Sequence, residues 1–242
     1  MYSQSELENI LFIDLETAPQ AETYEGLSER MQRLWDKKSR RYQGQNADMS
    51  AAELFADKGG IHAEFGRIVC ISAGYLQFDD EGIPHMTMKS WGGEDEGEIL
   101  RSFGRMLDKY SSVNTSRKLC AHNGKEFDFP YLGRRYVIHQ LSIPYMLRVQ
   151  GKKPWETQFI DTMELWKFGD YKSYTSLDLL SAILEIPSPK DDIDGSQVAS
   201  VFWKDKDYDR IQTYCEKDVI TTAQVLLRMS RLPLIPSTEE AW

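Results

Sequence analysis

Ile10-Leu11-Phe12-Ile13-Asp14-Leu15-Glu16-Thr17 is a short apolar run that ends in two carboxylates. Four consecutive apolar residues followed at once by acids read as a strand buried on both faces of a sheet and ending near Asp14. Asp14 and Glu16 stand two apart, so on a strand they project to the same side of the sheet and suffice to hold one cation between them. Buried without a neutralising charge, the pair would repel and shift toward the protonated forms. A divalent metal removes that conflict, and oxygen ligands alone favour Mg²⁺ or Mn²⁺ over zinc. Taken by itself, the Asp-x-Glu spacing is weak evidence and fits exposed acids closing a strand better.

Outward from this strand the pattern alternates. Residues 19–60 are charged and rich in Gln and Ala, with broken helical patterns over 26–42 and 50–57, and read as an insertion laid over the first crossover. Arg67 to Phe78 is a second buried strand, turned by Asp79-Asp80-Glu81-Gly82 into a weaker strand from His85 to Trp91. Ile99, Phe103, Met106, Leu107 and Tyr110 recur at helical spacing in 94–110. Residues 118–123 predict a strand, 127–140 a helix with Pro130 in its first turn, and 158–162 a short strand. Ser176 caps a helix carrying Leu177, Leu180 and Leu184, and 207–228 is a long helix with Ile211, Cys215, Val219 and Leu226 inward. A hairpin followed by alternating strands and helices predicts an α/β fold, a mixed sheet with helices on both faces.

Length and composition agree with one domain spanning 1–242, since 242 residues with 41% hydrophobic and 12% aromatic content bury a substantial core. No segment approaches the length of a membrane span and residues 1–9 lack the pattern of a signal peptide, so a cytoplasmic location and no membrane partner are expected. Cys70, Cys120 and Cys215 are far apart in apolar segments and read as core thiols rather than a disulfide framework or a metal clip. A net charge of −9 argues against coating duplex nucleic acid by charge alone. It leaves room for a nuclease, because bound cations reverse the field of an acidic site.

Two further carboxylate settings complete the set. Tyr214 and Asp218, four apart on the last helix, share one face. The same spacing also suits a packing tyrosine beside a solvated acid. His122-Asn123-Gly124-Lys125-Glu126-Phe127-Asp128-Phe129-Pro130-Tyr131-Leu132 ends a strand, turns, and presents Asp128 in the first turn of a helix, where open α/β sheets bind ligands. The alternative is that Asn123 and Asp128 cap that helix.

Phe12 to Thr17, Asn123 to Asp128 and Tyr214 to Asp218 resemble, in order, the three motifs of the DEDD 3′-to-5′ exonucleases, the last in its tyrosine-bearing version. The run from His122 to Leu132 resembles the exonuclease domain of family-B DNA polymerases, and the chain resembles the stand-alone bacterial proteins related to that domain, from about Leu11 to Leu227. The resemblance implies a ribonuclease H-like fold in which Asp14, Glu16, Asp128 and Asp218 hold two divalent cations, Mg²⁺ or Mn²⁺. It implies that Asp14 bridges the two and that Tyr214 orients the attacking water. It also implies release of 5′-nucleotides from 3′ ends of single-stranded nucleic acid, most simply DNA. The terminal nucleotide would meet the backbone near Leu15 and Thr17, with Leu15 and Phe127 as apolar contacts and Asn123 on the strand. One departure is the length of 19–60, and nothing after the third motif resembles a polymerase palm or fingers.

Lys152-Lys153-Pro154-Trp155 and Tyr171-Lys172-Ser173-Tyr174 combine cations with aromatics suited to phosphates and stacked bases, with Ser173 and Tyr174 as the candidate contacts. Lys37-Lys38-Ser39-Arg40-Arg41 reads as an exposed helix end, and His122 as a satisfied strand-end residue. Two other functions remain open from the residues: a 3′-to-5′ exoribonuclease, and a module of the same fold that grips nucleic-acid ends without cutting.

Overall fold

The computed structural model describes residues 2–42, 49–114, 116–170, 172, 174–187 and 192–236. In chain order the elements are α1 (Gln4–Leu7), β1 (Ile10–Pro19), α2 (Glu29–Ser39), α3 (Ala51–Lys58), β2 (Gly66–Phe78), β3 (Pro84–Gly92), α4 (Glu96–Val113) and β4 (Lys118–Ala121). Next come α5 (Asp128–Ile138), β5 (Phe159–Asp161), α6 (Thr162–Lys167), α7 (Leu177–Ile183), α8 (Val198–Ser200) running into a π-turn at Val201–Asp205, and α9 (Tyr208–Met229). The five strands form one mixed sheet in the order β3-β2-β1-β4-β5. Antiparallel pairing joins β1 to β2 and β2 to β3, whereas β4 and β5 run parallel to β1. The C-terminal ends of β1, β4 and β5 therefore open on one edge.

Period-two alternation along β1 sorts its side chains between two cores. Leu11, Ile13 and Leu15 pack with Ile99, Leu100 and Phe103 of α4 and Leu132 and Tyr136 of α5. Ile10 and Phe12 pack with Val219, Ala223 and Leu226 of α9 on the other face. Helices thus cover both faces, as the sequence predicts.

β1 is longer than expected. It continues past Asp14 to Pro19, because Asp14 still pairs with Ser72 and Glu16 with Cys70 of β2. The register then slips: Thr17 pairs with Ile68, which leaves Val69 unopposed. Such a bulge bends the strand that carries the extra residue, β2, and sets the adjacent Val69 and Cys70 in one core, while β1 keeps its alternation. Here the Thr17 hydroxyl bonds that of Tyr131 on α5, while Ala18 joins Val69 and Phe202 on the opposite face.

α4 is tied to α5 by a buried ion pair. Glu96 accepts from Arg135 Nε at 2.7 Å and Nη2 at 2.5 Å, and also from the Ile68 N–H at 2.8 Å. A buried pair bonded this fully fixes relative position more than it adds stability. All three cysteines are buried and free, as core thiols should be. Among the described residues, no helix is long and apolar enough to cross a membrane.

Candidate functional site

Asp14 and Glu16 share the α9 face of β1, and α9 brings Cys215 against them. One ligand atom from each of these three residues lies within 4.8 Å of the others. The Cys215 thiol also donates to the Asp14 carbonyl at 3.5 Å. Burial and the neighbouring thiol and carboxylates raise the Cys215 pKa well above the usual thiol range, so the sulfur keeps its proton and is a poor metal ligand at neutral pH. The donors that remain are carboxylate oxygens.

Asp128 enters from the first turn of α5, and Asp218 lies four residues beyond Tyr214 on α9. Charge interactions link the four carboxylates, with Asp128 acting on Asp14, and Asp218 acting on Glu16 and Asp128. Burial, and then the charge of Asp128, push Asp14 up to about 8, although Cys215 and the Leu15 N–H bond its carboxyl. Burial raises Glu16 well above its ordinary value, followed by the charges of Asp14 and Asp218. Burial also pushes Asp128 up to about 8, with Asp161 and Asp218 adding to it, while its own backbone N–H and that of Leu15 pull the other way. One oxygen, Asp14 Oδ2, is buried without a hydrogen-bond partner. A cluster that is repelled, desolvated and incompletely bonded fits a divalent cation held by hard oxygen donors.

The N-terminal end of α5 is not capped by a side chain. Phe127 occupies the cap position without such a bond, and Asp128 is already helical. The turn is shaped instead by Asp161, a residue that no sequence motif singles out. It is buried at the end of β5, where Oδ1 accepts from the N–H groups of Asn123 (2.9 Å), Met163 (3.0 Å) and Glu164 (3.3 Å). Its Oδ2 accepts from Lys125 N–H at 3.0 Å. These bonds hold Asn123 in the left-handed region at φ 60° and so set how the chain enters α5. A signal was present all the same, since Asp161 closes a strand just as Asp14 follows an apolar run.

Replacing Asp161 with Ala leaves four N–H groups without their acceptor. The expected cost is about 2 kcal/mol, measured by denaturant unfolding. Loss of turnover greater than the loss of folded protein is expected as well, because Asp128 is displaced. Wild-type stability in Asp161→Ala would refute this role.

Leu15 is 5% exposed, with its side chain in the α4/α5 core; alternation puts it on the face opposite Asp14, and its backbone N–H is what meets the carboxylates. Thr17 is half-buried beside Tyr131. Phe127 is half-buried, its ring 5.3 Å from that of Tyr131. Asn123 Oδ1 is buried without a partner. Tyr174 is 68% exposed and adjoins Thr175, whose carbonyl accepts from His122 Nε2 at 2.9 Å, which places Tyr174 near the carboxylate edge of the sheet. Thr162 Oγ1 bonds the other ring nitrogen of His122 at 2.9 Å, so that imidazole is satisfied. Ser173 and Tyr171 lie outside the described residues. Trp155 is 77% exposed with Lys153 Nζ 5.2 Å from its ring. That segment leads into the N-terminal end of β5, the end away from Asp161, so it does not border the carboxylates.

Tyr214 and Asp218 line a cavity of about 410 Å³ with Ser176, Asp178, Asp192 and Asp194. A β-carbon at Gly195 would stand 3.8 Å from the Tyr214 hydroxyl, so the chain passes close by without blocking it.

Comparison with solved structures places this arrangement among known folds. A family B DNA polymerase from the hyperthermophilic archaeon Pyrobaculum calidifontis matches with a TM-score of 0.54 at 14% identity, over 91% of this chain and 24% of that one. The chain thus spans about a quarter of the polymerase's length and shares the fold of that part. The protein belongs to the family of predicted 3′-5′ exonucleases related to the exonuclease domain of PolB, whose model matches residues 61–234. The matched stretch contains Asp128, Tyr214 and Asp218 and begins after Asp14 and Glu16. No curated protein matches the chain.

Proposed function

We propose that the protein is a metal-dependent 3′-to-5′ exonuclease that hydrolyses the terminal phosphodiester of single-stranded DNA and releases 5′-nucleotides. The observation that carries this reading is the quartet of carboxylates, whose mutual repulsion a bound cation relieves. A pure binding module has no need of such a cluster. Asp14, Glu16, Asp128 and Asp218 are the residues to hold two divalent cations, Mg²⁺ or Mn²⁺. When bound, such cations neutralise the scissile phosphate and the charge developing on the leaving 3′-oxygen.

The remaining work belongs to the chain itself. Tyr214 projects from the same face of α9 as Asp218 and orients the attacking water through its hydroxyl. With a reference pKa of about 10, a phenol is a poor base at neutral pH, so its role is positioning. Asn123, Phe127 and Tyr174 line the edge from which a strand approaches. The backbone about Leu15 and Thr17 lies beside the carboxylates that would face its terminal nucleotide.

The test is incubation of 5′-labelled single-stranded DNA and RNA with Mg²⁺, with Mn²⁺ and with chelator. A ladder shortening from the 3′ end in the metal lanes is expected, and a preference between the polymers decides the substrate class. Folded protein that shortens neither polymer in any lane would exclude the enzyme reading. Tyr214→Phe should retain partial activity, with kcat lower by roughly tenfold to a hundredfold and little change in KM.

A further inference from the structure

The strongest basic feature of this acidic chain lies outside the carboxylate site. From Glu29 to Tyr42 there are six basic and two acidic side chains, in a protein of net charge −9. Arg30, Arg33, Lys37 and Arg40 succeed one another at intervals of three, four and three residues. They therefore form one stripe along α2 and the turn that continues it, and all four are exposed. At about 1.5 Å of rise per residue the stripe is roughly 15 Å long.

Its acids are already engaged. Glu29 pairs with Arg33 at 3.6 Å, Asp36 accepts from the Tyr24 hydroxyl at 2.7 Å, and Glu64 pairs with Lys38 at 3.5 Å. Among the described residues Arg30, Lys37 and Arg40 make no ion pair. Arg41 reaches Tyr42 Oη (2.7 Å) and His62 Nε2 (2.8 Å), with its guanidinium 4.8 Å from the Tyr42 ring. Arg134, exposed on α5, adds to the same field. Burial, and then Lys38, Arg41 and Arg134 together, depress the His62 pKa to about 4. Cations from α5 and from the segment after β1 thus converge on one imidazole.

The stripe is mounted on a packed segment whose base adjoins the strand that carries Asp14 and Glu16. On its inner side α2 buries Trp35, whose Nε1 donates to Ala51 O at 2.8 Å and whose ring packs edge-on against Phe55 and Phe65. The base of the segment meets β1 at Ala18 and Pro19, against which Gly59 and Gly60 pack. Ala18 is two residues, or roughly 7 Å, beyond Glu16. Tyr131, less than one turn after Asp128, donates to Gly60 O at 2.8 Å.

We propose that the basic stripe of α2, with Arg41 and Arg134, binds the phosphates of single-stranded nucleic acid several nucleotides upstream of the end held at the carboxylates. The inference rests on the exonuclease reading and specifies the substrate as a polynucleotide strand longer than the active site itself. A polyanion is the partner that an exposed row of cations, three of its four without an ion pair among the described residues, selects on an otherwise acidic protein. The stripe then determines affinity for long strands and leaves the chemistry unchanged.

The test compares wild type with the combined variant Arg30→Ser, Lys37→Ser, Arg40→Ser, and with the charge-preserving variant Arg30→Lys, Lys37→Arg, Arg40→Lys. Fluorescence anisotropy with 5′-labelled oligodeoxythymidylates of about 4 and about 16 nucleotides, in chelator and across a salt series, reads affinity. For the long strand the Ser variant should bind about tenfold or more weakly, and its log–log salt slope should fall by about 2. For the short strand, affinity and metal-dependent hydrolysis should match wild type, and the charge-preserving variant should behave as wild type throughout. Equal long-strand affinity and slope for the Ser variant, with wild-type hydrolysis intact, overturns the stripe and leaves the exonuclease reading standing. Wild-type protein that neither binds nor shortens any strand overturns both.

Discussion

Asp14→Asn should lower the rate of 3′-end shortening by about a thousandfold or more, while the metal-free protein melts no lower than wild type. The two halves of this result have one cause. Asp14 is the carboxylate with a buried, unpartnered oxygen, and its carboxyl lies at about 8 because burial and Asp128 oppose its charge. Asn has nearly the same shape and keeps an acceptor for the Leu15 N–H and the Cys215 thiol. It removes the charge that a cation needs and that the metal-free fold resists. The rise in melting temperature that Mn²⁺ gives wild type should shrink or vanish in the variant. An unchanged rate in purified Asp14→Asn would sink the assignment; an unchanged Mn²⁺ response would remove Asp14 from the cation's ligands.

The second large effect is a dependence of stability on pH that a metal abolishes. Asp14 and Asp128 titrate near 8 in the folded protein against about 3.9 in the unfolded chain, so between these values the folded state binds more protons. Their contribution is fully present below pH of about 4 and is lost as pH rises through about 8. His62 works in the opposite sense over part of that range. Its folded pKa of about 4 lies below its ordinary 6.5, so its contribution is lost as pH falls through that interval. The clean window is therefore from about 6.5 to about 8. Metal-free protein should lose about 3 kcal/mol there, or roughly 10 °C in Tm. Mn²⁺ at a hundredfold excess over its Kd adds about 2.7 kcal/mol and should flatten the slope. Stability that is flat or rising over this window in chelator would contradict the buried, repelling quartet.

How far each element was legible depends on the range of the interactions that form it. The apolar run that opens β1, the helical spacing of α4 and α9, and the Asp79–Gly82 turn are local patterns, and they appear in the structure close to where the sequence puts them. Tyr214 and Asp218 sit one turn apart for the same reason. The extension of β1 to Pro19 was not legible, because acids at 14 and 16 interrupt the apolar run and only pairing with β2 keeps the strand going. Asp161 escaped notice because its four donors come from two separate turns. Lys37 to Arg41 reads in sequence as an exposed helix end. The packing of Gly59 and Gly60 against Ala18 and Pro19 is what joins the segment that carries that cluster to β1.

The sequence by itself determined the kinds of element, the faces they bury and the identity of the acids, since these depend on side-chain period and residue chemistry. Tertiary structure alone decided that the acids share one field. It also decided that Cys215 closes one side of their site as a neutral thiol and that Asp161 holds the turn before Asp128. Charges and hydrogen bonds act through space, and residues more than a hundred positions apart meet only when the sheet order brings their strands and helices together.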